Sequence, residues 1–221
     1  MTKQSKPIEL YNNATPNGRK ITIMLEELSV PYNIHYIWFS RRMQFAPEFT
    51  AISPNQKIPA IVDPEGPGDE PISIFESGAI LKYLAIKFGR LYPEDLRRQV
   101  KVDEWLFWQV GGFGPFLGQA HHFIHDAKQK IPYAIKRYKD EAARLYTVLN
   151  GRLEGRNWVA DDYSIADIAI FGWAHRHRRH EIDLPNYPNV ERWYEAMLAR
   201  PAVIRGLEAA KEPRPVAEAT P

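Results

Sequence analysis

At 221 residues, with 44% hydrophobic and 12% aromatic side chains, the chain is long enough to bury a sizeable core and too apolar to be disordered. A formal net charge of +2 gives no support to general nucleic-acid binding, and zero cysteines exclude both a disulfide framework and a catalytic thiol of the protein's own. The first residues contain no signal-peptide core, and nowhere is there a run of roughly 18 apolar residues, so the expectation is a cytoplasmic protein without membrane association.

In chain order, Met1 to Lys6 is polar and expected to be loose, and Ile8 to Tyr11 reads as a short strand. The stretch T-P-N-G-R-K-I-T-I-M-L-E-E-L follows. Thr15 reads as an N-cap and Pro16 as the first helical residue, with Ile21, Met24, Leu25 and Leu28 as the buried stripe. Asn33 to Phe39 reads as a second strand, and Arg41 to Phe49 as a loop holding a short helix. Two further strands, Ile58 to Val62 and Ile72 to Phe75, flank E-G-P-G-D-E-P, where Pro and Gly cannot continue either strand. A helical pattern (Ala79, Ile80, Tyr83, Leu84, Ile86) starts directly after the last strand and stops at Gly89.

This order presents two helix N-termini at a sheet edge. Orphan N–H groups and the positive end of the dipole favour a carboxylate there, and the Ser77 hydroxyl adds a donor. Glu76, one residue earlier, is placed to receive an ammonium, so the pair suits an α-amino-acid head group. The plainer alternative is that Ser77 and Thr15 only cap helices. At Ile58-Pro59, a cis bond would turn the Ile58 backbone groups outward toward a peptide-like ligand.

From about Arg97 to Lys211 the apolar residues recur at helical spacing. A long helix opens with Val100, Trp105, Leu106 and Trp108, and G-G-F-G-P-F-L-G implies a kink or break in it. A second helix is expected from about Pro132 to Leu153. Trp105, Phe107, Trp108, Phe113 and Phe116 form a candidate apolar wall of a cleft, in competition with core packing or a dimer contact. Ser164 and Asp167 form a capping box with a structural role. The triplet His121, His122, His125 lacks the glutamate of H-E-x-x-H, so no metal is expected. The patch W-A-H-R-H-R-R-H at Trp173 to His180 reads as a solvated face or cleft lining rather than a nucleic-acid surface, and the aperiodic tail from Glu212 as disordered or draped.

The motifs N-Q-K-I-P-A-I-V-D and F-E-S-G-A-I-L-K-Y-L resemble the glutathione-binding half of glutathione transferases. T-P-N-G-R-K-I-T-I-M-L-E-E-L and W-L-F-W-Q-V-G-G-F-G-P-F-L-G-Q-A-H-H-F are similar to the nu class of that superfamily, which is associated with glutathione-dependent disulfide reduction. The resemblance spans about residues 8 to 211. It implies a thioredoxin-like α/β domain (1–90), a linker (91–96), an all-helical domain (97–211) and a tail (212–221).

It also implies glutathione or glutathione disulfide as the bound cofactor, a small disulfide or electrophile as second substrate, and a homodimer. By the same resemblance Thr15 and Asn17 face the ligand sulfur, while Ile58, followed by Pro59, pairs with the cysteinyl backbone. Glu76 and Ser77 hold the γ-glutamyl group, Gln44 reaches the glycyl end with Asn55 and Lys57 near it, and Arg137 contacts glutathione from the helical domain. Read without the resemblance, Arg137 belongs to a solvated face beside Lys136 and Lys139. The class pattern has Asn where this chain has Ala120, which implies a lost amide near the entrance. The implied activity is disulfide reduction with weak transferase or peroxidase side activity. The alternatives are a conventional conjugating transferase and a non-catalytic glutathione-binding or regulatory protein.

Overall fold

The computed structural model describes residues 4–211. Four strands, β1 (Ile8–Asn12), β2 (Tyr32–Tyr36), β3 (Ala60–Asp63) and β4 (Ile72–Phe75), form one mixed sheet in the order β2-β1-β3-β4. β1 and β2 run parallel with Leu10 opposite Ile34, and β3 is antiparallel to both β1 and β4. The expected start is not loose: Gln4 bonds Asp63 at 3.1 Å and the Ser5 N–H bonds Glu65 at 2.9 Å. Residues 1–3 and the tail from Glu212 lie outside the described residues.

Helix α1 (Pro16–Leu28) connects the parallel pair, with Thr15 as its N-cap and Pro16 at its first position. All four residues of the expected stripe are buried, but so are Lys20, Thr22, Ile23 and Glu27, because α3 (Ser77–Phe88), α7 (Ile165–Ala174) and α9 (Pro201–Ala209) all pack on α1. β2 ends at Tyr36, short of the expected Phe39: the Asn13 side chain donates to the Ile37 carbonyl at 2.8 Å and the chain turns off the ladder. Two 3-10 turns (Phe39–Arg41 and Met43–Phe45) and α2 (Pro47–Ile52) follow. The Ile58–Pro59 bond is cis, and β3 begins only at Ala60. Gly89 closes α3 in the left-handed conformation, φ 63°.

The expected break after Trp108 does not occur. α4 (Leu96–Trp108) passes through a π turn (Gln109–Phe113) into α5 (Gly114–His121) and a second π turn (His122–Asp126). Pro115 lies in the first turn of α5, and the π turn before it absorbs the change of register that a proline in a continuous helix requires. α6 (Pro132–Arg152), α7 and α8 (Pro188–Leu198) complete the helical half with α9. The capping box is formed: Asp167 accepts from the Ser164 N–H at 3.1 Å, the Val159 N–H at 3.0 Å and the Trp193 indole at 3.0 Å. One core unites both halves, running from Ile8 and Leu10 in the sheet through Met24 and Leu81 to Phe113, Tyr146, Phe171 and Trp193.

Phe113 is thus core and not cleft wall, Trp105 and Trp108 pack against the same core, and Phe107 points outward, 63% exposed. Ala120 is fully buried in that core, so an amide in its place would be interior and not at an entrance.

Candidate functional site

A small cavity of about 60 Å³ opens where the N-terminus of α1, the turn before β3 and the N-terminus of α3 converge, lined by Asn17, Lys57, Ile58, Pro59, Glu76 and Ser77 together with Ser53, Asn55 and Phe75. Each wall has a local cause. The turn is held by the Ser53 hydroxyl donating to the Lys57 carbonyl at 2.8 Å and by Gln56 at φ 55°. A satellite core of Ile37, Phe49, Ile58 and Ala60 fixes Ile58 beneath it. Glu76 precedes α3 at φ 69°, ψ 114°, a conformation that disfavours a side chain and costs on the order of 1–3 kcal/mol. That backbone is what sets Glu76 and Ser77 side by side at the helix end.

Ser77 is the first residue of α3 and not its cap. Its hydroxyl accepts at 3.1 Å from the ammonium of Lys20, a residue only 1% exposed that also donates to Gln109 Oε1 at 2.6 Å. Because an ammonium can only donate, Ser77 must accept, and its own proton is left to donate outward. Burial pulls the Lys20 pKa down to about 7, against the Glu76 charge that raises it.

Asn17 is oriented by the same logic. The Trp173 indole N–H donates to Asn17 Oδ1 at 2.9 Å, and since indole has no acceptor, the Asn17 NH₂ is the end left for a ligand. Gly114 makes room for both devices: a Cβ there would stand 2.6 Å from Gln109 Nε2 and 3.0 Å from Trp173 Nε1. Thr15 Oγ1, two residues before Asn17, accepts from the Gly18 N–H at 3.0 Å and keeps its proton to donate.

The structure therefore brings Asn17, Lys57, Ile58, Pro59, Glu76 and Ser77 to one cavity, with Thr15 on the adjoining turn. Gln44 lies on the Met43–Phe45 turn outside the cavity lining, its Oε1 buried without a partner among the described residues. Arg137 is exposed on α6 and lines a separate groove with Phe116, Tyr133, Asp140 and Arg144. The rings of His121 and His125 lie 5.2 Å apart, tilted by 49°, and among the described residues no group of three or more His, Asp or Glu side chains is arranged to hold a metal ion.

Sequence reasoning missed Lys20 and Gln109, and reached Trp173 only as the start of a patch read as a solvated face or cleft lining, not as a partner of Asn17. Lys20 carried a signal, since positions 20, 24 and 28 share one helix face and the other two are buried apolar residues. The contacts of Gln109 and Trp173 carried none, because their partners are remote in sequence.

Comparisons with known proteins point the same way. The sequence model described as glutathione S-transferase, N-terminal domain, matches residues 14–86, and that for the glutathione S-transferase C-terminal domain matches residues 115–201. The chain is 52% identical over 202 residues to the disulfide-bond oxidoreductase YfcG of Escherichia coli K12, covering 90% of this chain and 94% of that one. Among solved structures it is similar to a Pseudomonas fluorescens glutathione transferase family member with two glutathione bound (TM-score 0.88, 45% identity, 91% and 92% of the two chains). It is also similar to a Pseudomonas putida glutathione transferase with one glutathione disulfide bound per subunit (TM-score 0.89, 42% identity, 94% and 93%).

Proposed function

Because the chain belongs to the glutathione S-transferase family, we propose that it is a glutathione-dependent reductase of small disulfides, using reduced glutathione or holding its disulfide. One observation carries this reading. A hydroxyl and an oriented amide stand on the first turn of α1 beside a head-group cavity, in a chain with no cysteine, so the reacting sulfur must be the ligand's.

The γ-glutamyl carboxylate is received by the Ser77 hydroxyl and the N-terminal N–H groups of α3, and its ammonium by Glu76. The Ile58 backbone, next to Pro59, takes the cysteinyl unit, Lys57, Asn55 and Gln44 lie toward the glycyl end, and Arg137 serves from the helical half. A thiol of pKa ~8.5 must be shifted by roughly two units, about 2.7 kcal/mol, to be a thiolate at neutral pH. One hydrogen bond to a charged group supplies about 1.5–3 kcal/mol and a helix terminus about 0.3–1 kcal/mol, so Thr15 and Asn17 suffice without a general base.

The thiolate attacks one sulfur of the substrate R–S–S–R, forming the mixed disulfide and expelling RS⁻. A second glutathione thiolate attacks the glutathionyl sulfur, forming glutathione disulfide and expelling the other RS⁻. The two leaving thiolates take up the two protons the glutathiones gave up. We place the binding unit in residues 1–90 and the helical unit in 97–211, in a cytoplasmic homodimer. No described helix is long and apolar enough to cross a membrane.

The test is glutathione-dependent reduction of 2-hydroxyethyl disulfide beside conjugation of a chlorodinitrobenzene, on one preparation. Strong reduction with weak conjugation is expected, and Thr15→Ala should lower kcat by about ten- to a hundredfold with a smaller change in glutathione affinity. The opposite ranking of the two activities, or an unimpaired Thr15→Ala enzyme, overturns the reading.

A further inference from the structure

Another concavity, of about 600 Å³, shares no residue with the head-group cavity. It runs between α1, the end of α7 and α8, and its walls include Arg19, His175, Arg176, Arg178, Arg179 and Tyr194. Among the described residues no carboxylate lines it and none of these four arginines is in an ion pair. Arg178 and Arg179 are exposed, but Arg19 and Arg176 are half-buried, and each is destabilised by its own desolvation and by a neighbouring guanidinium. Among the described residues the only carboxylate that acts on Arg176 in compensation is Asp126, at longer range than an ion pair.

Burying two like charges together without a counter-charge is unfavourable, and the nearly neutral chain as a whole does not require it. The local excess therefore belongs to this groove and not to a generally basic protein. Guanidinium forks from α1 and from the turn after α7 face one space, which is the geometry that grips an anion through several charge-assisted hydrogen bonds. The Tyr194 hydroxyl, already 3.0 Å from His175 Nδ1, adds a neutral polar group to the wall.

We propose that this groove is a binding site for a small polyanion carrying two or more adjacent phosphate or carboxylate groups, held by Arg19 and Arg176 from within and by Arg178 and Arg179 at the rim. Its floor adjoins the active loop without entering it, since Arg176 also donates to the Ala14 carbonyl at 3.4 Å, one residue before Thr15.

Pyrophosphate and citrate are titrated calorimetrically into the full chain at 0.15 M salt, alongside Arg178→Gln/Arg179→Gln and Arg19→Gln. Saturable one-to-one binding of at least one of the two is expected, weakened about tenfold or more in both variants. The better of the two ligands assigns the site to phosphates or to carboxylates. The rim double variant should keep disulfide reduction within about twofold in the absence of either anion, which shows that it folds. No binding at this salt concentration, equal affinity in wild type and variants, or binding of duplex DNA with neither small anion would each overturn the proposal.

Discussion

Lys20 is a cation placed where burial works against it, and what compensates is specific: the Ser77 hydroxyl, the Gln109 carbonyl oxygen and the nearby charge of Glu76. Its ammonium lies behind the hydroxyl assigned to the ligand carboxylate, so it both fixes the direction of the Ser77 proton and adds positive potential to the pocket. With a pKa of about 7, the charge is present below neutrality and lost above it. S-methylglutathione, whose sulfur cannot ionise, should therefore bind more weakly at pH 8 than at pH 6. In Lys20→Met it should bind about tenfold more weakly at pH 6 and lose that pH dependence, with kcat changed less than KM. A variant that binds the ligand with the wild-type pH profile would remove Lys20 from this role. The residue was legible as a charge interrupting an apolar helix face, whereas the orientation of Asn17 was not. It depends on an indole 156 positions away, and single-chain periodicity carries no information about such pairs.

At the scale of elements, α4 leaves an apolar face uncovered. Leu96, Val100 and Phe107 fall within about 40° of one another around the helix and are 72%, 47% and 63% exposed. Three large apolar side chains on one face suit a self-complementary contact between two copies, which is the homodimer proposed above. Phe107→Glu should shift the protein from dimer toward the 25.6 kDa monomer in sedimentation analysis at micromolar concentration. A wild type that is monomeric there, or a variant that stays dimeric, would sink the assignment of this face. The existence of α1, α3, α4 and α6 was readable from caps and 3.6-residue spacing. The continuity of α4 into α5 was not, because Gly and Pro signal a break equally well when a π turn will absorb them. Nor was the closeness of α1 to its neighbours. A Cβ on Gly172 would stand 2.5 Å from the Pro16 carbonyl oxygen, and one on Gly206 2.6 Å from Ile23 Cα, so two ordinary helical glycines prove to be contact points against α1.

For the molecule as a whole, burial of titratable groups in the helical half makes stability depend on pH in a direction that can be worked out. Burial lowers the imidazole of His180 from 6.5 to about 3 and that of His175 to about 4, while it raises the Asp167 carboxyl from 3.8 to about 6 against the hydrogen bonds it accepts. At pH 5 the unfolded chain holds a proton on both histidines and none on the aspartate. The folded chain holds one on Asp167 and almost none on the histidines. Unfolding therefore takes up about one net proton, somewhat less because His175 is partly exposed. Stability should rise by up to about 1.4 kcal/mol per pH unit between pH 4.5 and 6, rise less steeply through pH 7, and level off above about 7.5, where the histidines are neutral in both states. The paired carboxylate of Asp63, held below its usual 3.8, adds its own loss only at lower pH. Among the described residues neither ring nitrogen of His180 has a partner, so His180→Leu removes a titrating group without breaking a hydrogen bond there. In that variant the urea midpoint should be nearly flat between pH 4.5 and 6, since the remaining histidine and Asp167 oppose each other. A slope equal to wild type, or wild-type stability that falls as pH rises across this window, would show that these buried groups do not govern the acid response.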